Sequence, residues 1–472
     1  MKRRELVGFA AGAVASWPVA AQAQQSTKVP TDRSPVAWPL GGASFTVLPG
    51  RSLKTDPLVF VGVCDWSGLV RGKAFPEADS DVRLKKGVGL THSNIMMSCF
   101  GPIYTTPFGT TGDLIIRPDP QMRIEVLFDD GTAERFYLGD MVNTDGSSWE
   151  FCPRTFLARA LEALAKFRLR VVASFEQEFM LTGVEDRPGS TYALDSFRRQ
   201  GRFGETLIAA VKTAGFKPDS FLPEYGPRQY EATVGAEEGL RAADAAVVLR
   251  ELARAIAWRM GQRAIFAPML APDGMGNGTH VHLSLWDGET PVTHDDAGAY
   301  GISGRAAPFF AGVLAHMPAI CAFSAPSVAS YYRLTPNRWA PVHANLAAQD
   351  RGAALRVAPV FVTSPEEPAR QFNVEFRVAD GSSCPYLALG AIVWAGVDGL
   401  ARRLTLPRPG AEAPLLPRSL EASLDAVEAD ERTTSWWSTK ARSTYIAFKR
   451  AEIKALEGAS PDEICARYAA VY

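Results

Sequence analysis

VASFEQEFM, Val172–Met180, is the stretch whose reading decides the fold. In an extended chain successive side chains point to opposite faces. Glu176 and Glu178 therefore share one face, and Phe175 and Phe179 the other. The aromatic face asks for a core. The acidic face asks for a partner, because adjacent carboxylates repel unless a cation lies between them. Two other stretches repeat the design. In THVHLSLW, Thr279–Trp286, His280, His282 and Ser284 oppose Val281, Leu283 and Leu285; in FNVEFRV, Phe372–Val378, Asn373, Glu375 and Arg377 oppose Phe372, Val374, Phe376 and Val378. Any half-solvated strand alternates in this way. These three differ in carrying Glu, His and Arg, which bind metals and anions, where ordinary solvated faces carry Lys, Thr, Ser and Gln.

Three neighbouring stretches add to the set. Glu224 and Glu231 lie in PEYGPRQYE, Pro223–Glu231, where Gly226-Pro227 forces irregular backbone, so the stretch reads as a loop entering a strand; two surface acids is the plainer reading. GMGNG, Gly274–Gly278, is either a simple turn or a loop whose backbone approaches a ligand closely. Arg333, Arg351, Arg356 and Arg377 are planar, permanently charged donors suited to carboxylate and phosphate.

The chain has 472 residues, 47% hydrophobic, with a net charge of -1. It lacks the basic excess that nucleic acid demands. Past the N-terminus no apolar run approaches the length of about 20 residues needed to span a membrane. Six scattered cysteines without C-x-x-C spacing read as reduced, mostly buried thiols. Residues 1–25 resemble an export signal: Lys2, Arg3 and Arg4, an apolar Leu6–Ala20, then Ala21-Gln22-Ala23. A wrongly chosen start or a loose extension is the alternative, and residues 1–35 are set aside from the fold. Residues 24–56 read as a linker. LVFVGV, Leu58–Val63, is a strand, and Met122–Phe128 followed by Asp129-Asp130-Gly131 is half of a hairpin, so 57–148 form a small β unit. The remainder, 149–472, starts with a helix at Pro153 and has a second at 238–260, with Val248, Leu252, Ala255 and Ile256 inward and Arg241 and Asp244 outward. Residues 406–418 read as a loop, and the tail from Ser419 as helical.

FEQEF (Phe175–Phe179), NGTHVHLS (Asn277–Ser284), RLTP (Arg333–Pro336) with Ala340-Pro341, Asp350-Arg351 and Arg356, and VEFR (Val374–Arg377) with Pro385-Tyr386-Leu387 resemble, in order and spacing, the motifs of the glutamine synthetase family. The resemblance runs from Val59 to Tyr472. It implies an α+β fold: an N-terminal β-grasp domain, then a catalytic domain with a curved antiparallel sheet surrounded by helices. It implies a homo-oligomer, a dodecamer of two hexameric rings with each site at a subunit boundary. One metal would be held by Glu178, Glu224 and Glu231, the other by Glu176, His280 and Glu375, and oxygen ligands with one imidazole suit Mg²⁺ or Mn²⁺. Asn277, Gly278, Arg333 and Arg377 would hold glutamate. His282, Ser284, Arg351, Arg356 and Arg370 would face ATP. Arg333 and Arg351 would be the catalytic arginines. The reaction implied is phosphoryl transfer from ATP to the side-chain carboxylate of glutamate, then attack by an amine. Its demand for ATP points to the cytoplasm.

Two departures bear on the amine. Ammonia-using members carry an Asp where LTHSN, Leu90–Asn94, has Thr91, and a flap Glu where RLTPNRWAP, Arg333–Pro341, has Trp339. Ammonium needs negative charge beside it to be bound and deprotonated. A hydroxyl and an indole supply none, so an organic amine is expected, with Trp339 at its site. His92 is either a replacement base or a polar loop residue. Glutamine synthesis from ammonia, a non-catalytic family member, and a metal-dependent amidohydrolase stand as the other readings.

Overall fold

Asp129-Asp130-Gly131 turns the chain tightly: Gly131 takes a positive φ of 80°, and the Phe128 amide donates to the Thr132 carbonyl at 2.8 Å. The hairpin that follows is the spine of the first sheet in this computed structural model, which describes residues 55–472 apart from 104–105, 110 and 362–366. The export-like segment and residues 1–35 lie outside the described residues. The first sheet comprises β1 (Leu58–Cys64), β2 (Val70–Pro76), β3 (Val88–Thr91), β4 (Asp113–Leu127) and β5 (Ala133–Asn143), in the order β2-β1-β5-β4-β3. All neighbours are antiparallel except β1 and β5.

The second sheet holds ten strands: β6 (Arg170–Leu181), β7 (Pro218–Pro223), β8 (Gln229–Val234), β9 (Glu237–Glu238), β10 (Ala264–Ile265), β11 (Thr279–Asp287), β12 (Thr290–Pro291), β13 (Leu346–Ala348), β14 (Leu355–Val357) and β15 (Val374–Phe376). Its main path runs β13-β14-β15-β11-β6-β8-β7. It is antiparallel save for one parallel pair, β13 with β14, which the sequence does not announce. The aromatic faces of β6 and β11 turn to the core: Phe175, Phe179, Val281, Leu283 and Leu285 are all buried. Helices cover this side. The helix expected from Pro153 spans Pro153–Ala165, and the second spans Gly239–Arg259.

Asp244 corrects one expectation. It does not face solvent; it is 1% exposed and accepts two hydrogen bonds from Arg154, both at 3.0 Å, and one from the Tyr386 hydroxyl at 2.5 Å. Arg154 also reaches Asp119 on β4 at 2.6 Å and Asp140 on β5 at 3.2 Å. One buried guanidinium thus ties the first sheet to the Gly239–Arg259 helix and to the helix beginning at Pro385. Helical spacing cannot tell a solvent-facing carboxylate from one met by a buried arginine.

The six cysteines are free and buried, as expected. Among the described residues no single helix is long and apolar enough to cross a membrane. Helices Ala307–Ala315 and Met317–Ser324 are apolar together but bend by 76°. His316 sits at that bend, its Nδ1 2.5 Å from Asp430 and its Nε2 2.9 Å from Asp398. Burial works against the imidazolium, but the two carboxylates outweigh it and raise its pKa above the ordinary 6.5. The stabilisation from this clasp is therefore full below about pH 6.5 and is lost as pH rises through the raised folded-state value. His316→Gln is expected to cost about 3 kcal/mol at pH 6, the low end for breaking a buried ion pair. Denaturant unfolding should show the gap to the unmodified protein narrowing at alkaline pH; a gap independent of pH counts against the clasp.

Candidate active site

Strand register brings the polar faces together. Glu176 on β6 lies opposite His280 on β11, Glu178 opposite Glu231 on β8, and Glu375 on β15 opposite both His282 on β11 and Arg356 on β14. Each strand contributes alternate residues, so a single concave face collects groups from five separate stretches of chain. Glu224 joins them from just past β7, held by hydrogen bonds from the Tyr225 amide (2.7 Å) and the Tyr192 hydroxyl (3.0 Å).

Ligating atoms of Glu178, Glu224 and Glu231 lie within 4.8 Å of one another, as do those of Glu176, Glu231 and His280, and of Glu176, His282 and Glu375. His280 Nδ1 stands 3.4 Å from Glu176 and 3.6 Å from Glu375. All six residues expected to ligate metals thus converge.

The two ends of the cluster differ electrically. Burial pushes the Glu176 and Glu375 carboxyls up, but imidazoles outweigh it at both, with Arg377 adding to the effect at Glu375, and hold both below the carboxylate range. Glu375 is also paired with Arg356 at 2.7 Å and with Arg377. Glu224 and Glu231 go the other way. Burial raises both, and neighbouring carboxylates raise them further. Among the described residues no Arg or Lys forms an ion pair with Glu178, Glu224 or Glu231; His280 Nε2 stands 3.9 Å from Glu178. Crowded buried carboxylates without counter-charge fit a divalent cation, and an all-oxygen donor set fits Mg²⁺ or Mn²⁺.

The glycine loop works by close approach. A Cβ at Gly278 would stand 2.7 Å from His280 Nε2, and one at Gly276 would stand 2.6 Å from Arg333 Cγ. The Gly278 amide donates to Glu178 at 2.7 Å. Asn277 is wholly buried: its amide nitrogen donates to the Ile265 and Ala267 carbonyls, and its oxygen accepts from Gln229 at 2.9 Å. The loop meets the adjoining cavity through Met275 and Gly276, with Asn277 and Gly278 bracing it from behind.

Two cavities flank the cluster and share one wall residue, Glu176. The first, 550 Å³, is lined by the other carboxylates of the β6–β8 side and by Arg333, Arg351, Arg356 and Arg377, with Trp339 at its edge. Arg333 is buried and donates to the Val378 and Ala379 carbonyls. The second, 450 Å³, is lined by His282, Ser284, Trp286, Arg370 and Asn373. His282 Nε2 lies 2.9 Å from Glu176, and its Nδ1 lies 2.7 Å from the Asn373 side-chain oxygen. The Ser284 hydroxyl accepts from the Trp286 indole at 2.9 Å, and the Arg370 guanidinium lies 5.7 Å over that ring. The residues expected to face ATP are therefore divided, with Arg351 and Arg356 in the first cavity and His282, Ser284 and Arg370 in the second.

The sequence reading missed Tyr192, Gln229 and Arg338. Gln229 cross-links Glu178, Gly276 and Asn277. Arg338 donates to the carbonyls of Gly274 and Pro272, pinning the Trp339 flap onto the glycine loop. An arginine inside a short Pro-flanked stretch was the available signal. His92 stacks on Phe108 (4.4 Å between centroids) and tilts towards Trp149, within an aromatic cluster of the same chain.

Comparison with known proteins gives the family of the chain. Residues 150–468 match the family described as "Glutamine synthetase, catalytic domain" and residues 46–149 the "Glutamine synthetase N-terminal domain". The chain is 30% identical over 447 residues to gamma-glutamylpolyamine synthetase GlnA3 of Streptomyces coelicolor, covering 89% of this chain and 94% of that protein. It is 28% identical over 429 residues to glutamine synthetase of Pyrococcus horikoshii, covering 85% and 90%. A solved structure described as a novel glutamine synthase homolog superposes with a TM-score of 0.84 at 38% identity, covering 89% of this chain and all of that one.

Proposed function

This chain belongs to the glutamine synthetase family and is a ligase, and from that premise we propose that it joins the side-chain carboxylate of glutamate to an organic amine through γ-glutamyl phosphate. What supports the two-metal part is the triad of Glu178, Glu224 and Glu231, packed within 4.8 Å with two of the three carboxyls raised by burial and mutual repulsion. In this proposal these three hold one divalent ion, and Glu176, His280 and Glu375 hold the other. Bound there, the ions would screen negative charge as phosphate and carboxylate meet.

The chain's own residues do the rest. Arg333 and Arg377, fixed by carbonyls and by Glu375, stand ready for the carboxylates of glutamate. Arg351 and Arg356 face the same cavity and offset charge on the transferring phosphoryl group. His282, Ser284 and Arg370 hold the nucleotide on the far side of Glu176. The amine nitrogen then attacks the acyl carbon, the bond from that carbon to the phosphate oxygen breaks with its electron pair leaving on phosphate, and the proton lost from nitrogen goes to the departing phosphate. Thr91 and Trp339, in place of the acids of ammonia-using members, support an organic acceptor. The ring-shaped oligomer and the cytoplasmic setting, where ATP is available, belong to the same proposal.

Phosphate release with ATP, Mg²⁺ and glutamate is expected to depend on an organic amine. Release with ammonium but with no organic amine across a broad panel would overturn the acceptor, and no release under any condition would overturn the ligase.

A further inference from the structure

Three aromatic side chains, Tyr192, Tyr225 and Trp339, stand at the mouth of the first cavity. Trp339 is 62% exposed and Tyr225 54%, yet their rings stack, with 6.3 Å between centroids and 23° between planes. Tyr192 is 60% exposed and donates its hydroxyl to Glu224. Large exposed aromatic surface at a cavity rim marks a place where a ligand is covered.

The indole is held there against backbone preference. Asn337 and Trp339 adopt φ of 65° and 53°, a left-handed conformation that non-glycine residues rarely take. Arg338 fastens the flap to the Gly274 and Pro272 carbonyls, and Arg377 donates to the Trp339 carbonyl at 3.2 Å.

Charge decides what the stack receives. Five arginines line this cavity: Arg333, Arg338, Arg351, Arg356 and Arg377. Among the described residues of this chain, the carboxylates that line it are Glu176, Glu178, Glu224 and Glu231, all assigned to metals in the proposed function. Leu90–Asn94, which the family resemblance brings to the amine site, carries none. A second ammonium on the acceptor would lose its water among guanidinium groups with no free carboxylate to meet it. A hydrocarbon or aromatic body meets apolar ring faces instead.

We propose that the acceptor is a primary monoamine whose apolar or aromatic body is clamped by Trp339 and Tyr225, that polyamines are excluded by charge, and that Arg338 is the positioning residue of the clamp. This rests on the ligase reading. It is tested with the intact protein by phosphate release, using ATP, Mg²⁺, glutamate and matched amines: butylamine against putrescine, and benzylamine against spermidine. The monoamine of each pair should show at least about tenfold higher kcat/KM, the scale set by leaving one charge unpaired in a partly desolvated site. Equal or better use of the polyamines would overturn the inference and leave the ligase intact. No release with any amine would overturn the ligase reading itself. Trp339→Ala and Tyr225→Ala should each raise KM for the monoamine by about tenfold, as loss of a buried aromatic contact does. Arg338→Ala should do the same, with partial recovery in Arg338→Lys. KM for ATP and glutamate should stay within about twofold in all of them. A uniform loss for all three substrates would overturn the clamp.

Discussion

Glu231→Gln is expected to lower turnover by about a thousandfold while making the metal-free protein more stable. The two effects have one cause. Glu231 is buried, and its carboxyl is pushed up by burial and by Glu176, Glu178, Glu224 and Glu375. A raised acid binds more protons folded than unfolded, so the metal-free fold loses stability as pH rises from about 4.5 through the folded-state value. Glutamine keeps the shape and removes the charge. At neutral pH the gain should be about 1 kcal/mol, an upward shift in melting temperature of about 2 °C. Catalysis should move the opposite way, because the ion that the triad would hold in the proposed function loses one anionic ligand; removing a single group that stabilises developing charge costs about a hundredfold to a thousandfold. Added Mg²⁺ or Mn²⁺ should raise the melting temperature of the unmodified protein strongly and of the variant weakly. A variant that melts lower without metal, or that turns over near normally, would remove Glu231 from the metal site.

Arg154→Met is expected to cost the largest stability of any single change considered, about 4 kcal/mol, the range for stripping a buried carboxylate of its partner. Asp244 is the carboxylate stripped: it is 1% exposed, burial raises its pKa, and Arg154 supplies two of its hydrogen bonds. Asp119 and Asp140 keep contact with solvent and add less. Because the guanidinium joins the first sheet to the helical layer, the loss should appear as easier separation of these layers, read as faster proteolysis between 119 and 140. The double variant Arg154→Met with Asp244→Asn should recover part of the stability, since no charge is then left unpaired. An Arg154→Met protein that unfolds at the same denaturant concentration as the parent would refute the account.

The polar faces were legible because a strand's period is fixed at two. From Glu176-x-Glu178 and His280-x-His282 alone, alternation says which residues share a face. It does not say which strands meet. The pairings Glu176 with His280 and Glu178 with Glu231 depend on register between segments over fifty residues apart, and a one-residue slip would turn every one of these groups away. The motifs supplied that information only through resemblance to a family. Asp244 failed for a different reason: helical period separates faces but does not reveal that a buried face holds Arg154. Asn277 and Gly278 were placed in the right neighbourhood, yet their hydrogen bonds serve the loop and Glu178, a division of labour that spacing cannot encode. Trp339 was singled out by what it replaces, whereas Arg338 beside it replaces nothing quoted from the family and passed unnoticed.

Among the described residues Glu176 is the one wall residue common to the two cavities, and the chambers on its two sides face different demands. In the proposed function the His282 side receives ATP, a ligand common to the family, so a drug aimed there would strike many relatives alike. The opposite mouth, framed by Trp339 and Tyr225, is free to vary with the amine. Selective inhibition of this ligase is therefore a matter of filling the aromatic doorway.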